Sequence, residues 1–233
     1  MHYISKFILL ILSPYVLLSF ARPRAVIHIG PHKASSTFIQ KNLVKNALVF
    51  QDFNYSIIGS ESPKAASTLA LSLQVPEDDT WRTAAEKYFL QIENAPGNIL
   101  LSSEELDVVG DTGLKILKEA LRRFDVTIVY FHRERTHLLR SVWYELNRKL
   151  VNPEQFAKWV LRYMNQQKGN VADLVATHMV YRRHFDVENI VLLSFEGCMK
   201  RSSTFSVLLT DVMQLPVAKF TFETETSNSA TPS

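Results

Sequence analysis

The sequence predicts a single-domain, three-layer α/β/α protein in which helices cover both faces of a central parallel sheet. Four short apolar runs alternate with helical stretches of about a dozen residues, which is the pattern of βαβ units. The apolar runs cover residues 25–29, 99–101, 126–131 and 190–195. With 233 residues, of which 46% are hydrophobic and 21% charged, the chain is long enough for one domain with a sizeable core.

Before residue 98 the sequence predicts three helical segments and one further short strand. Phe38 and Leu43 lie on one face of a helical pattern that begins directly after the first strand. Pro76 separates two later helical pieces, because proline cannot continue a helix. The predicted elements of this half are a helix over residues 36–50, a strand over 55–59 and two helices within 60–96.

After residue 98 each remaining strand is followed by helical patterns. We predict a helix over residues 113–124 and another that follows residue 135 and runs through 148. Three more are predicted over residues 153–167, 171–185 and 201–213. The carboxyl ends of parallel strands lie at one edge of the sheet, and ligands of such sheets bind there. Lys33, Glu104 and Arg133 each come just after a predicted strand. We therefore expect these three side chains to meet at that edge.

The composition narrows the classes of ligand. The formal net charge of +3 is compatible with an anionic ligand but gives no indication of nucleic-acid binding, so no nucleic-acid partner is expected. Cys198 is the single cysteine, which excludes an internal disulfide and a cysteine-based metal site. The seven histidines show no metal-binding spacing such as H-E-x-x-H, so we expect no metal ion.

The N-terminus carries a separate apolar segment, residues 7–20. Its 14 residues are too few for a membrane-spanning helix, which needs about 20, but they suit the apolar region of a signal peptide. Residues 19–21, S-F-A, offer a cleavage site. We expect a signal peptide over residues 1–21, a domain over 22–220, a flexible tail over 221–233, and a place in the secretory pathway, in the Golgi lumen or outside the cell. The alternatives are an uncleaved anchor, with membrane association through residues 4–20, and a buried N-terminal helix.

The first strand leads into a loop that predicts an anion site. Gly30 ends the apolar run, Lys33 follows, and three hydroxyl residues, S-S-T at 35–37, open the next helix. A strand that feeds a helix through a tight loop directs several backbone N–H groups and a helix N-terminus at one point, where phosphate or sulfate binds well. The hydroxyl residues could instead do no more than cap the helix. A nucleoside-triphosphate P-loop fits poorly, because no second glycine precedes Lys33 and Ala34 follows it.

Two further strand ends carry candidate site residues. Arg133 and Ser141 could clamp a phosphate through a guanidinium and a hydroxyl, although a basic helix face is often just solvated. Glu104 could accept the proton of an attacking hydroxyl or amine, with Glu105 as the alternative. The competing interpretation is that the S-E-E sequence at 103–105 only caps a turn.

These motifs resemble those of the sulfotransferases. Residues 28–40, H-I-G-P-H-K-A-S-S-T-F-I-Q, are similar to the 5′-phosphosulfate loop of that family, P-K-x-G-T-T, often extended as H-I-G-x-H-K-x-G-T-T-x-I-Q. Ser35 replaces the family's glycine, and if that position needs a positive φ, serine would be strained there by about 1 kcal/mol. Residues 129–143 resemble the 3′-phosphate motif R-[DN]-P-x-x-x-x-x-S, with Glu134 and Arg135 in place of D-P. Residues 181–196 are similar to the family's C-terminal strand region.

The resemblance implies a P-loop NTPase-like sulfotransferase fold and transfer of a sulfuryl group from 3′-phosphoadenosine 5′-phosphosulfate (PAPS), without a metal. It assigns the 5′-phosphosulfate to Lys33 and to residues 34–37, which are Ala34, Ser35, Ser36 and Thr37. It assigns the 3′-phosphate to Arg133 and Ser141, with Arg135 as a second candidate, and proton abstraction to Glu104.

The acceptor implied is a hydroxyl or amine, expected on a carbohydrate. Two other functions stay open. One is a nucleotide- or glycan-binding module without catalysis, which Ser35 motivates. The other is a nucleoside kinase, which would bind ATP with magnesium.

Overall fold

The computed structural model describes residues 22–166 and 174–223, and its centre is a sheet of five parallel strands. The strands are β1 (Arg24–His28), β2 (Tyr55–Ile57), β3 (Asn98–Ser102), β4 (Asp125–His132) and β5 (Ile190–Ser194). Their order across the sheet is β2-β3-β1-β4-β5. The predicted α/β class and parallel sheet are confirmed. The expected signal peptide and the chain beyond residue 223 lie outside the described residues.

Ten α-helices lie within the described residues and connect the strands. They are α1 (Ser36–Lys45), α2 (Ala47–Asp52), α3 (Ala65–Gln74), α4 (Asp79–Glu93), α5 (Asp111–Ala120), α6 (Arg135–Asn147), α7 (Phe156–Gln166), α8 (Leu174–Arg182), α9 (Phe195–Arg201) and α10 (Thr204–Val207). A π-helical turn, Leu208–Val212, continues α10.

Two predicted helices are divided in the structure. The helix expected over residues 36–50 breaks at Asn46, whose side-chain amide donates to the carbonyl oxygens of Asn42 and Thr221, both at 2.8 Å. The helix expected over residues 201–213 starts earlier, as α9, and a new helix begins after Ser203. The Ser203 hydroxyl accepts a hydrogen bond from the N–H of Ser206 at 3.1 Å and so caps α10.

The sheet separates two hydrophobic clusters, one on each face. Along β1, Ala25 and Ile27 belong to one cluster and Val26 to the other, as expected for a strand buried on both faces. Helix α1 packs on the Val26 face through Ile39, whereas α5 packs on the opposite face through Leu114. The neighbouring strands β1 and β3 therefore send their following helices to opposite faces, which opens a crevice at their carboxyl ends.

The last described residues contact α1 and Asn46, the residue that follows it. Asn46 Oδ1 accepts a hydrogen bond from the N–H of Thr221 at 2.9 Å, and Asn42 Oδ1 accepts one from the N–H of Glu223 at 2.8 Å. Within the described residues, no helix has both the length and the apolar character that a membrane crossing requires.

Candidate functional site

The loops after β3, β1 and β4 start side by side at the carboxyl edge of the sheet. The N–H of Ser103 donates to the carbonyl of His28 at 3.1 Å, and the N–H of Phe131 donates to the carbonyl of Gly30 at 3.1 Å. Main-chain bonds therefore extend the sheet into the loops that carry Lys33, Glu104 and Arg133. The three predicted residues come from three adjacent central strands.

Gly30 permits the loop after β1, which we call the donor loop (residues 29–35), to lie against the backbone of Glu104. Its φ is 98°, in the left-handed region that favours glycine. A Cβ atom at this position would lie 3.3 Å from the Cα of Glu104 and 3.4 Å from its carbonyl oxygen. A larger residue would thus both strain the backbone and push the two loops apart.

The donor loop contains two non-glycine residues in the left-handed conformation, Lys33 with φ 65° and Ser35 with φ 64°. Ser35 therefore meets the condition stated above for strain, a positive φ at the position where the family has glycine. Backbone turns of this kind form concave N–H nests that favour anions. Inside the loop, the carbonyl of Pro31 accepts from the N–H of Ala34 at 3.3 Å and from the hydroxyl of Ser36 at 3.1 Å.

The N-terminus of α1 follows directly from this loop. The first hydrogen bond onto the helix joins the N–H of Ile39 to the carbonyl of Ser35 at 2.9 Å, and the Ser35 side chain does not cap the helix. The N–H groups of Ser36, Thr37 and Phe38 precede the helix's own hydrogen bonds, which is the usual basis of an anion site. Thr37 is exposed, whereas Ser36 is buried. The N–H of Ala34 and the hydroxyl of Ser36, both predicted donors, are used within the loop.

Lys33 directs its side chain toward α6. Its Nζ lies 3.4 Å from Oε2 of Glu145, and Glu145 also accepts from Arg148 at 3.1 Å. Ser141 is half-buried one helical turn before Glu145, and residues four apart share a helix face. The face of α6 that carries Ser141 is therefore turned toward the donor loop. Sequence reasoning missed Glu145, although its position four residues after Ser141 was a usable signal.

Arg133 lies beside the donor loop as predicted. Its Nη1 donates to the carbonyl oxygen of Lys33, and its guanidinium carbon is 4.9 Å from the ring centre of Phe195. Its Nε is buried and has no hydrogen-bond partner among the described residues. Burial lowers the pKa of Arg133, while the charge of Glu196 acts in the opposite direction. A partly desolvated cation with an unused donor is suited to an anionic ligand.

Glu134 and Arg135, which stand where the family has D-P, form the start of α6. Glu134 caps α6 by accepting from the N–H groups of Thr136 and His137, both at 2.9 Å. Arg135 is the first residue of α6 and is exposed. Glu196 accepts a hydrogen bond from the N–H of Glu134 at 3.1 Å.

Glu104 begins a short 3₁₀ helix, Glu104–Val108, at the carboxyl end of β3. The Ser103 hydroxyl accepts from the N–H of Glu105 at 3.3 Å, so Ser103 caps this turn and leaves both glutamates half-buried at the surface. His32 of the donor loop lies over the turn. Its Nε2 is 3.5 Å from Oε1 of Glu105 and its Nδ1 is 3.5 Å from Oδ2 of Asp107.

His32 and Asp107 were not predicted, and their protonation equilibria are linked. Burial lowers the pKa of His32, but the hydrogen bond and charge of Asp107 and the charges of Glu104 and Glu105 outweigh it, so the pKa is raised. Burial raises the pKa of Asp107, and His32 offsets part of that effect. Atoms of His32, Glu104 and Glu105 lie within 4.8 Å of one another. Both ring nitrogens face carboxylates, which suits a protonated imidazole, and we assign no metal to this cluster.

His28 links the two strands beneath the site. It is fully buried, and its Nδ1 lies 2.8 Å from the hydroxyl of Ser102. Burial lowers its pKa to about 4, although a backbone hydrogen bond with Gly30 raises it slightly. The imidazole is therefore neutral near pH 7 and serves the packing of β1 against β3.

The chain is similar to a known sulfotransferase in three dimensions. No family model and no curated protein matches the sequence. Among solved structures, the crystal structure of a sulfotransferase from Alicyclobacillus acidocaldarius gives a TM-score of 0.58 at 13% identity, over 88% of this chain and 85% of that one. The sulfotransferase domain of the Synechococcus PCC 7002 olefin synthase gives 0.42 at 12% identity, over 85% and 76%, a score too low to support an argument. This chain has the sulfotransferase fold.

Proposed function

We propose that this protein transfers the sulfuryl group of PAPS to a hydroxyl or amine of an acceptor. The observation that carries the proposal is the hydrogen bond from Arg133 to the carbonyl of Lys33. It brings the predicted 3′-phosphate residue against the predicted 5′-phosphosulfate loop, as one nucleotide with anionic groups at both ends requires. The fold supports the same reading.

The residues present fit PAPS. The donor loop has left-handed residues at Lys33 and Ser35, and the first N–H groups of α1 precede the helix's own hydrogen bonds. The buried Nε of Arg133 has no hydrogen-bond partner among the described residues, and its guanidinium lies beside that loop. We assign the 5′-phosphosulfate to Lys33 and to the N–H groups at 36–38, and the 3′-phosphate to Arg133 with Ser141.

The chain's own groups then have separate roles. PAPS, when bound, supplies the activated sulfuryl group and a phosphate leaving group. Lys33 neutralises charge that develops on the leaving phosphate, since positioned cations provide much of the catalysis in such transfers. Glu104 accepts the proton of the attacking hydroxyl or amine. Arg133 and Ser141 orient the nucleotide and select a 3′-phosphorylated one.

Two measurements test this function. Calorimetry should show that adenosine 3′,5′-bisphosphate binds more tightly than adenosine 5′-monophosphate, and a radiolabelled assay should show sulfate transfer from PAPS. Glu104→Gln should reduce kcat by about 100-fold or more while bisphosphate binding stays unchanged. Magnesium-dependent ATP binding that ignores the 3′-phosphate would favour the kinase instead.

A binding module without catalysis is the second candidate, and Ser35 favours it. Its left-handed φ of 64° strains a loop in which the family has glycine. This candidate predicts that adenosine 3′,5′-bisphosphate binds, but that no sulfate is transferred to any acceptor tested. The same two measurements therefore separate the two functions.

A carbohydrate acceptor and a secretory location belong to the proposal as well. The secretory location is supported by the apolar segment at residues 7–20 and by the N-Y-S sequence at 54–56, which is a glycosylation sequon. The carbohydrate acceptor is supported by this location together with the mildly basic net charge. A panel of anionic and neutral glycans, beside hydroxyl-bearing small molecules, tests the acceptor. Sulfate incorporated only into the small molecules would contradict the carbohydrate assignment. Imaging of a C-terminally tagged chain tests the location.

A further inference from the structure

His32 is the positive partner of a carboxylate cluster at the mouth of the site. It contacts Glu105 and Asp107, each at 3.5 Å, and the charge of Glu104 also acts on it. The Asp107 side chain is only 2% exposed, and its Oδ1 is buried without a hydrogen-bond partner among the described residues. A carboxylate so placed depends strongly on a neighbouring positive charge.

Among the residues that the structure describes, other groups around the cluster do not supply that charge. Lys33, the next residue along, pairs with Glu145 on α6. Burial raises the pKa of the Tyr163 phenol on α7 and of the Tyr181 phenol on α8, and the negative charge of Asp107 raises both further. The hydroxyl of Tyr181 donates to the carbonyl of Leu106 at 2.8 Å, so it holds the turn but not its carboxylates. Among the ion pairs of the described residues, Glu105 and Asp107 share the one partner, His32.

We propose that protonated His32 is a positioning residue that fixes the turn at 104–108 against the donor loop and leaves Glu104 to accept the acceptor's proton. The proposal rests on the proposed sulfuryl transfer. One imidazolium N–H is directed at Asp107 and the other at Glu105, so the ring joins the loop after β1 to the turn after β3. Glu105 is thereby occupied as a counter-ion, which distinguishes it from Glu104.

This role sets an alkaline limit on activity. A raised pKa means that the stabilising contribution of His32 is complete below its ordinary pKa and is lost as the pH rises through the raised value. A neutral ring keeps one N–H and can serve one of the two carboxylates. The three carboxylates then repel one another, and the turn that carries Glu104 loosens. Turnover should fall over that pH range, whereas donor binding should not.

Nuclear magnetic resonance of the imidazole nitrogens tests the cluster without any assay of activity. His32 should titrate above the ordinary histidine pKa in the full chain. Asp107→Asn and Glu105→Gln should each lower that pKa, because each removes one negative neighbour. An unshifted pKa in all three proteins would overturn the proposal. So would line broadening of His32 by added Mn²⁺, because the ring would then be a metal ligand.

Kinetics test the positioning role. The alkaline fall in kcat should be present in the wild type and absent in His32→Gln, whose kcat should be about tenfold lower at pH 7 with the affinity for adenosine 3′,5′-bisphosphate unchanged. His32→Lys should restore part of kcat and move the alkaline limit upward, since lysine keeps its charge to higher pH. His137→Gln, an exposed histidine on α6, is the matched control and should behave as wild type.

The outcomes keep the two proposals apart. If the wild type neither binds the bisphosphate nor transfers sulfate, the proposed function fails, while the nuclear magnetic resonance titration still decides whether the cluster exists. If the wild type is active and His32→Gln keeps the same alkaline limit, the positioning role of His32 is wrong and the proposed function stands.

Discussion

The guanidinium of Arg133 donates a hydrogen bond to the main-chain carbonyl of Lys33, across 100 positions of sequence. Two loops with anion-binding motifs are therefore in direct contact on one side of the sheet. Had the two residues been placed on opposite sides, one nucleotide could not have reached both. The contact also fixes the guanidinium, so that its remaining N–H groups are directed before any ligand arrives.

Lys33→Ala should abolish sulfate transfer. In the proposed mechanism, loss of the ammonium removes the charge that stabilises the leaving phosphate, and removal of such a group costs about 10²- to 10³-fold in kcat. The radiolabelled assay measures it. Lys41→Ala, which removes an exposed lysine from α1, is the control and should retain wild-type turnover. Near-normal turnover of Lys33→Ala would contradict the role assigned to this residue.

Arg133→Ala should mainly weaken donor binding. A charge-assisted hydrogen bond contributes about 1.5–3 kcal/mol, so the Kd for adenosine 3′,5′-bisphosphate should rise by about ten- to a hundredfold. Calorimetry measures the change, and adenosine 5′-monophosphate should be affected much less. Arg122→Ala, on the surface beside Glu119, serves as the control. An equal loss of affinity for both nucleotides would contradict the assignment of Arg133 to the 3′-phosphate.

Gly30→Ala should damage stability and turnover together. A side chain at φ 98° costs about 1–2 kcal/mol, and its Cβ would crowd Glu104 at 3.3 Å. Urea unfolding and kcat measure the two effects. Gly110→Ala is the matched control, because nothing lies within 4 Å of its added Cβ, and its stability should change by less than about 1 kcal/mol. Equal stability and equal turnover of the two variants would show that the donor loop and the turn at Glu104 tolerate separation.

His28 should make the fold sensitive to acid. Its pKa is lowered from 6.5 to about 4 by burial, so the unfolded chain binds the proton first as the pH falls. The stability that it contributes is complete above pH 6.5 and is lost between that pH and about 4. At about 1.4 kcal/mol per unit, the loss is about 3 kcal/mol.

Urea unfolding at pH 7 and pH 5 measures this effect. His28→Asn keeps a polar group near Ser102 but does not titrate, so its stability should fall less between the two pH values than that of the wild type. His184→Asn, at a buried histidine paired with Asp111, controls for histidine replacement elsewhere. The same pH dependence of stability in the wild type and in His28→Asn would contradict the lowered pKa of His28.

The sequence carried enough information to predict the strands and the donor loop. Short β-branched runs followed by helical periodicity identify βαβ units locally, and the H-I-G-P-H-K sequence marks the loop without knowledge of the rest. Ser35 in place of the family's glycine indicated strain only on the condition of a positive φ, which the structure shows. The strand order was not predictable, because apolar runs do not specify their neighbours.

What could not be predicted depends on contacts between distant segments. The break at Asn46 arises from a hydrogen bond to Thr221, 175 positions away, which no helical periodicity contains. His32 and Asp107 are 75 positions apart and meet only because β1 and β3 are neighbours. A lone histidine beside a lysine carries no local sign of a carboxylate partner.

The pairing of Lys33 with Glu145 has one more consequence. Both side chains are partly exposed, 30% and 43%, so their attraction is weak, at about 0–1 kcal/mol. On the proposed function, an arriving nucleotide must nevertheless displace an acid that the protein itself supplies. The nucleotide and Glu145 then compete for the one ammonium group of Lys33, which lowers the measured affinity for the nucleotide. Glu145→Gln removes this competition, so the variant should bind the nucleotide more tightly.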